Sequence, residues 1–114
     1  MPNVEKEFKL ALDRPLSLDD LDLGSSPAPE IVKSYCDAFA EHLTQKYLSN
    51  RVTWPEADAV ANHYFNLMIQ HCGKRMPDYA WEVYLAFDEG EIDGRGDSFT
   101  RERLKDIQSK YGRA

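Results

Sequence analysis

Long apolar runs are missing from this sequence. No stretch approaches the ~18 consecutive apolar residues of a membrane-spanning helix. Cysteine is scarce, with Cys36 and Cys72 alone among 114 residues. Two thiols cannot build the dense disulfide framework of a small secreted domain. Each falls in a helical pattern beside apolar residues, which favours two small buried hydrophobes in the reduced state. A bridge between them stays open, because they lie on consecutive helices. Positive charge is also short. Fourteen basic residues face twenty acidic ones, a net charge of −6. That balance argues against general nucleic-acid binding, which needs a basic face. The opening MPNVEKEFKLALDR is charged throughout and has no apolar core of the signal-peptide kind, so the expected compartment is the cytoplasm. Internal repeats and low-complexity tracts are absent too.

What is present is enough apolar material, 42% hydrophobic and 11% aromatic, to build the core of one domain. The pattern predicts an all-α fold, a small four-helix bundle over about residues 29–112. An N-terminal arm of uncertain structure, 1–28, precedes a helical domain, 29–114. Within the arm, Phe8, Leu10 and Leu12 alternate as a strand would. Val4, Phe8, Ala11 and Leu12 fit a helix equally well. Ser17 with Asp20 looks like the cap of a single helical turn. Gly24 to Pro29 reads as a linker.

Four stripes follow. Val32, Tyr35, Cys36, Phe39, Leu43 and Tyr47 recur at helical spacing over 29–49, with Pro29 in the first turn. Thr53 caps a second helix bearing Ala57, Val60, Ala61, Tyr64, Phe65, Met68 and Cys72, with Gly73 as its stop. A third helix starts at Pro77-Asp78 and stops at Gly90. Ala80, Val83, Tyr84 and Phe87 make its core stripe, while Trp81 and Leu85 lie on another side. A last helix, capped at Asp97 or Ser98, carries Leu104, Ile107 and Tyr111 and ends at Gly112. Val32, Phe39, Leu43, Val60, Tyr64, Met68, Val83, Phe87, Leu104 and Ile107 are the expected core.

No arrangement of reactive residues points to catalysis. A nucleophile elbow and a glycine-rich phosphate loop are both lacking. His63 and His71 lie eight apart on one helix, and no histidine pair sits at the four-residue spacing of a zinc site. Cys72 with His42 is the one conceivable nucleophile–base pair, and nothing nearby orders it. The acidic run 88–97 can be aligned with an EF-hand loop if Gly94 takes the glycine position. Glu89, Glu91 and Asp93 then fall on ligand positions, but the bidentate glutamate is replaced by Thr100. The expectation is no enzyme, no cofactor and no metal. Arg95-Gly96-Asp97 matches an adhesion motif, which has no use inside a cell and reads better as a turn. The last helix and the residue after it carry five basic groups, Arg101, Arg103, Lys105, Lys110 and Arg113, but Glu102 and Asp106 interrupt them.

Acid concentrates in two places. Residues 1–30 carry seven acidic against three basic groups, and so do residues 73–97. Trp81, Leu85 and Asp88, three and four residues apart, share one side of the third helix. With Glu89 and Glu91 they have the make-up of an interface anchor inside an acidic rim. The expected function is a non-enzymatic acidic interaction module. It would be an inhibitor or immunity-type protein binding a basic partner, such as a toxin or a nucleic-acid-handling complex. In character the chain resembles the small helical immunity proteins of nuclease bacteriocins, at the Asp97-Ser98 cap and over Lys105 to Gly112, less than a fifth of its length. That likeness implies a basic nuclease-like target. The alternative is a self-associating structural or regulatory homodimer, with Trp81 and Leu85 meeting their own copies across a two-fold axis.

Overall fold

The computed structural model describes residues 3–72 and 74–113. Five α-helices run in order: α1 (Val4–Ala11), α2 (Pro29–Leu48), α3 (Trp54–His71), α4 (Asp78–Gly90) and α5 (Gly96–Lys110). Single 3₁₀ turns occupy Leu18–Asp20 and Ile92–Gly94. Among the described residues there is no strand. The fold is all-α, and no described helix is long and apolar enough to cross a membrane. The radius of gyration, 13.3 Å, is that of one closely packed body of this length.

Helix starts follow local chemistry. At α3 the Thr53 hydroxyl accepts from the Glu56 amide, and the Glu56 carboxylate accepts from the Thr53 amide at 2.9 Å. This reciprocal pair satisfies two amide donors that a helix start leaves free. Helix α4 begins after Pro77, whose side chain offers no acceptor. The acceptor comes from another helix: the Ala80 amide donates to the Asp37 carboxylate of α2 at 2.9 Å. Helix α2 closes through Asn50, whose φ of +64° is of the kind asparagine tolerates. Gly73, the expected stop of α3, lies outside the described residues.

The apolar stripes converge on one core. All ten residues expected there are buried, from Val32 on α2 to Ile107 on α5. Tyr84 is the exception within its stripe: it is only half-buried and belongs to a surface stack described below.

The N-terminal region departs most from expectation. Residues 4–11 are helical, and Phe8, Ala11, Leu16 and Leu21 are buried in the same cluster as the other helices. The core therefore runs on both sides of residue 28, and among the described residues the four helices expected over 29–112 are joined by α1, the helical one of the two conformations left open for the N-terminal segment. Polar bonds hold this segment down. The buried Glu7 carboxylate accepts from the Tyr35 hydroxyl at 2.6 Å and from the Asn3 amide at 3.2 Å. Glu5 pairs with His42 and Lys46 of α2. His63 of α3 bonds the Ala11 carbonyl through Nδ1, so that nitrogen must carry the proton. Asn66 donates to the Leu16 carbonyl at 3.0 Å. The capped turn at Ser17 is present, with the Ser17 amide donating to Asp20 at 2.9 Å. Arg14 grips Asp20 with both terminal guanidinium nitrogens and holds its carboxyl down to about 2.

Tertiary contacts bear on two local readings. Helix α4 stops at Gly90, as expected, and Gly90 is its buried last residue. A Cβ there would lie 2.2 Å from the Thr100 hydroxyl of α5. The glycine is required by a close helix crossing. By contrast, α5 starts at Gly96, so neither Asp97 nor Ser98 is its cap. Asp97 instead accepts from the Tyr47 hydroxyl and from Arg101. Gly90→Ala should lower stability by about 1–3 kcal/mol in denaturant titration, as overpacking does. Alanine's better helix propensity predicts the opposite sign at an open site.

Candidate functional site

Helix α4 crosses the molecule with α3 on one flank and α5 on the other. Its buried face is Tyr79, Ala80, Val83, Ala86, Phe87 and Gly90. The opposite face is therefore set by helical geometry, at 100° per residue. Leu85 lies at its centre, with Trp81 and Asp88 on one side and Glu82 and Glu89 on the other. Four of the five residues singled out in the sequence thus share a face: Trp81, Leu85, Asp88 and Glu89. Glu91 sits beyond the helix end and turns towards α3, where Asn62 donates to it at 3.3 Å.

Neither Trp81 nor Leu85 is fully exposed. Trp81 is half-buried in an aromatic stack across the α3–α4 contact. The Phe65 and Tyr84 rings lie parallel, 4.0 Å apart at 7°. Trp81 packs against both, with ring centroids 5.7 Å away in each case. One turn further along α3 on the Phe65 side is Ile69, 53% exposed. The apolar surface thus spans two helices. Phe65 and Tyr84 were readable only as members of core stripes, and Ile69 carried no signal of its own.

The acidic groups divide into two flanks. Towards α5 they are matched. Glu82 takes a hydrogen bond from the Tyr111 hydroxyl and an ion pair from Lys110 at 3.0 Å. Burial pulls its carboxyl up, but these two donors outweigh burial and leave it below its ordinary value. Glu89 faces Arg103 at 3.8 Å. Towards α3 they are unmatched. Asp58, Asp88 and Glu91 gather with no cation paired to them among the described residues. Burial first, and then Glu91 and Asp88, push the Asp58 carboxyl up to about 7. The Asp58 Oδ1 atom is buried without a hydrogen-bond partner. Burial and the same three carboxylates also raise the Tyr84 hydroxyl.

The other reactive side chains are engaged elsewhere. His42 is bound to Glu5 and His63 to a backbone carbonyl. Cys72 faces Cys36. Among the described residues no group of three or more His, Cys, Asp or Glu side chains is placed to hold a metal ion. In chemical terms the α4 face offers aromatic contact area, one aliphatic centre and unneutralised negative charge. Comparison with protein-family models, with curated proteins and with solved structures gives no match.

The raised Asp58 carboxyl has a definite sign in stability. The folded chain holds this proton up to about pH 7, whereas an unfolded aspartate releases it near 3.8. The folded state therefore binds more protons between those values, and stability falls as pH rises through that window. Asp58→Asn should raise Tm above the parent at pH 8 and leave it unchanged near pH 4, as read by thermal unfolding across pH.

Proposed function

We propose that this protein is a non-enzymatic interaction module that docks a basic protein on its α4 face. The observation that carries the reading is the Phe65–Tyr84–Trp81 stack lying beside the unpaired carboxylates Asp58, Asp88 and Glu91. Half-buried aromatic rings provide contact area at little cost in side-chain entropy. Unpaired acid draws a cationic partner over long range and speeds encounter. The net charge of −6 acts in the same direction. An inhibitor or immunity-type role fits this chemistry, since a toxin or nucleic-acid-handling target presents a basic surface. Trp81, Leu85, Asp88, Glu89 and Glu91 are the proposed contact residues. On this reading α2 to α5 are the working four-helix bundle, and α1 with its connection is strapped across it. Its proposed location is the cytoplasm.

A homodimer across the same face is the second reading, favoured by the exposed Ile69 beside the stack. Apposing two copies would bring the unpaired carboxylates together, which costs energy rather than gaining it. Light scattering coupled to size exclusion separates the two, because only the homodimer needs no other protein.

Leu85 is the best position for the test, at the centre of the face and outside the aromatic stack. A bait carrying Leu85→Arg should lose a basic partner that the parent retains, with Tm within about 2 °C of the parent, as at ordinary surface sites. Reversing Glu89 and Glu91 to Lys should slow association at least about tenfold at low salt and flatten its salt dependence. Equal retention of the partner by all three baits would remove this face from consideration.

A further inference from the structure

Away from the α4 face, two clefts adjoin at the turn from α2 into α3, and Arg51 is a wall of both. None of the proposed α4 contact residues lines either one. The smaller cleft, about 180 Å³, is otherwise walled by His42, Gln45, Lys46 and Ser49 of the end of α2. Every side chain around it can donate a hydrogen bond. The larger cleft, about 500 Å³, has an apolar side of Val52, Trp54 and Pro55 and a polar side that includes Asn50, Asp97 and Arg101.

The helix end fixes where Arg51 stands. Asn50 takes the left-handed turn, its amide donates to the Tyr47 carbonyl at 3.0 Å, and the Arg51 amide donates to the Lys46 carbonyl at 2.9 Å. At the position of Arg51 in such a helix end an apolar residue commonly packs back on the helix. Here an exposed arginine stands instead, and its side chain has no hydrogen bond or ion pair among the described residues. The charges around it are already matched. Arg101 lies over the Tyr47 ring and donates to Asn50 at 2.7 Å and to Asp97 at 3.0 Å. Glu56 is bonded to Thr53. Next to Arg51, Lys46 and His42 share the Glu5 carboxylate at 2.9 and 2.7 Å, so an oxyanion already seats on these side chains. That contact uses one Lys46 proton and leaves two.

The larger cleft is equally preset. The Trp54 indole N–H donates to Thr100 at 2.9 Å, which fixes the ring. Arg101 occupies the Asn50 oxygen, so the Asn50 amide nitrogen is left to donate. The side-chain bonds of Asp97 all fall on Oδ1, so Oδ2 is left to accept.

We propose that the paired clefts bind an adenine nucleoside monophosphate, with the phosphate on Arg51 and Lys46 and the base against Trp54.

A guanidinium fork matches phosphate oxygens in pairs. A fixed indole is a stacking platform for a base. The adenine edge places an acceptor nitrogen beside an amino donor, the complement of the Asn50 amide and Asp97 Oδ2. The smaller cleft has room for one phosphate, and a second would meet the Glu5 carboxylate. The net charge of −6 opposes a long polyanion, whereas a single nucleotide meets only the charges within about 10 Å of it.

The chain has two tryptophans, so its proton–nitrogen correlation spectrum has two indole signals, told apart by Trp81→Phe or by the contact of Trp54 with Thr100. Adenosine monophosphate, added to the full chain at constant ionic strength, should shift the Trp54 indole and the Arg51 amide saturably and leave the Trp81 indole in place. Adenosine alone and inorganic phosphate alone should each bind at least about tenfold more weakly, because linking the two groups makes the second contact intramolecular. Arg51→Ala should raise the Kd for the nucleotide at least about tenfold with Tm unchanged, as at an exposed site. Arg51→Lys should recover only part of the loss, because an ammonium lacks the fork. Absence of a saturable Trp54 shift up to about 5 mM nucleotide, beyond the millimolar range of weak binding, overturns the proposal. So does inorganic phosphate binding as tightly as the nucleotide, which would make this a general anion site, and so does undiminished binding by Arg51→Ala.

Discussion

The crossing of α4 over α5 depends on one missing side chain and one hydroxyl. Gly90 leaves room for Thr100, and the Thr100 oxygen fills that room at the junction of three helices. It accepts from the Trp54 indole of α3 at 2.9 Å and lies 3.2 Å from the carbonyls of Ala86 and Gly96. The hydroxyl has one proton, so it donates to one of those carbonyls at a time. A polar atom buried this deeply is tolerable only because it is bonded on both sides. The consequence reaches beyond the joint. With Gly90 pinned against α5, the roll of α4 is fixed, and with it the face that carries Leu85 outward and brings Tyr84 against Phe65.

Much of this was legible along the chain, and what was not has a common cause. Thr53 with Glu56 and Ser17 with Asp20 are local signals, each resolved within four residues, and the structure contains both. The apolar stripes of α2 to α5 are likewise properties of one helix at a time. The N-terminal segment gave no such answer, because its few apolar residues satisfy both a two-residue and a 3.6-residue period. Its conformation is settled by partners distant in sequence: Tyr35 for Glu7, His63 for Ala11 and Asn66 for Leu16. Two of the three histidines serve this purpose, which no spacing rule for metal ligands would suggest. The Asp97-Ser98 pair misled for the same reason. It carries a strong local meaning, that of a cap, which a contact from another helix overrides.

The outward face of α4 was half legible. Angular position around a helix separates Trp81 and Leu85 from Val83 and Phe87, and it groups Asp88 and Glu89 with them. What the stripe cannot give is its own edge. Phe65 and Tyr84 lie at the margins of two core stripes. Only the packing of α3 against α4 decides that they meet each other rather than the interior. Asp58 was invisible because its character comes from burial and from Glu91, thirty-three residues away in sequence.

The two flanks of this face also set a direction of approach for the proposed partner. Lys110 and Arg103 of α5 satisfy Glu82 and Glu89, so that flank offers little field to an incoming cation. On the α3 flank, Asp88 and Glu91 oppose the charge of Asp58, and no cation among the described residues pairs with it in return. Surface ion pairs of the first kind contribute little to stability. Repulsion of the second kind subtracts from it, and a protein sequence readily sheds such a cost unless something else depends on it. An arginine or lysine arriving at the α3 flank would relieve that repulsion, draw the proton off Asp58 and stack on the Tyr84 ring. The aromatic contact and the charge contact would then be made by the same partner residue, which gives the face a reason to keep its carboxylates beside its rings.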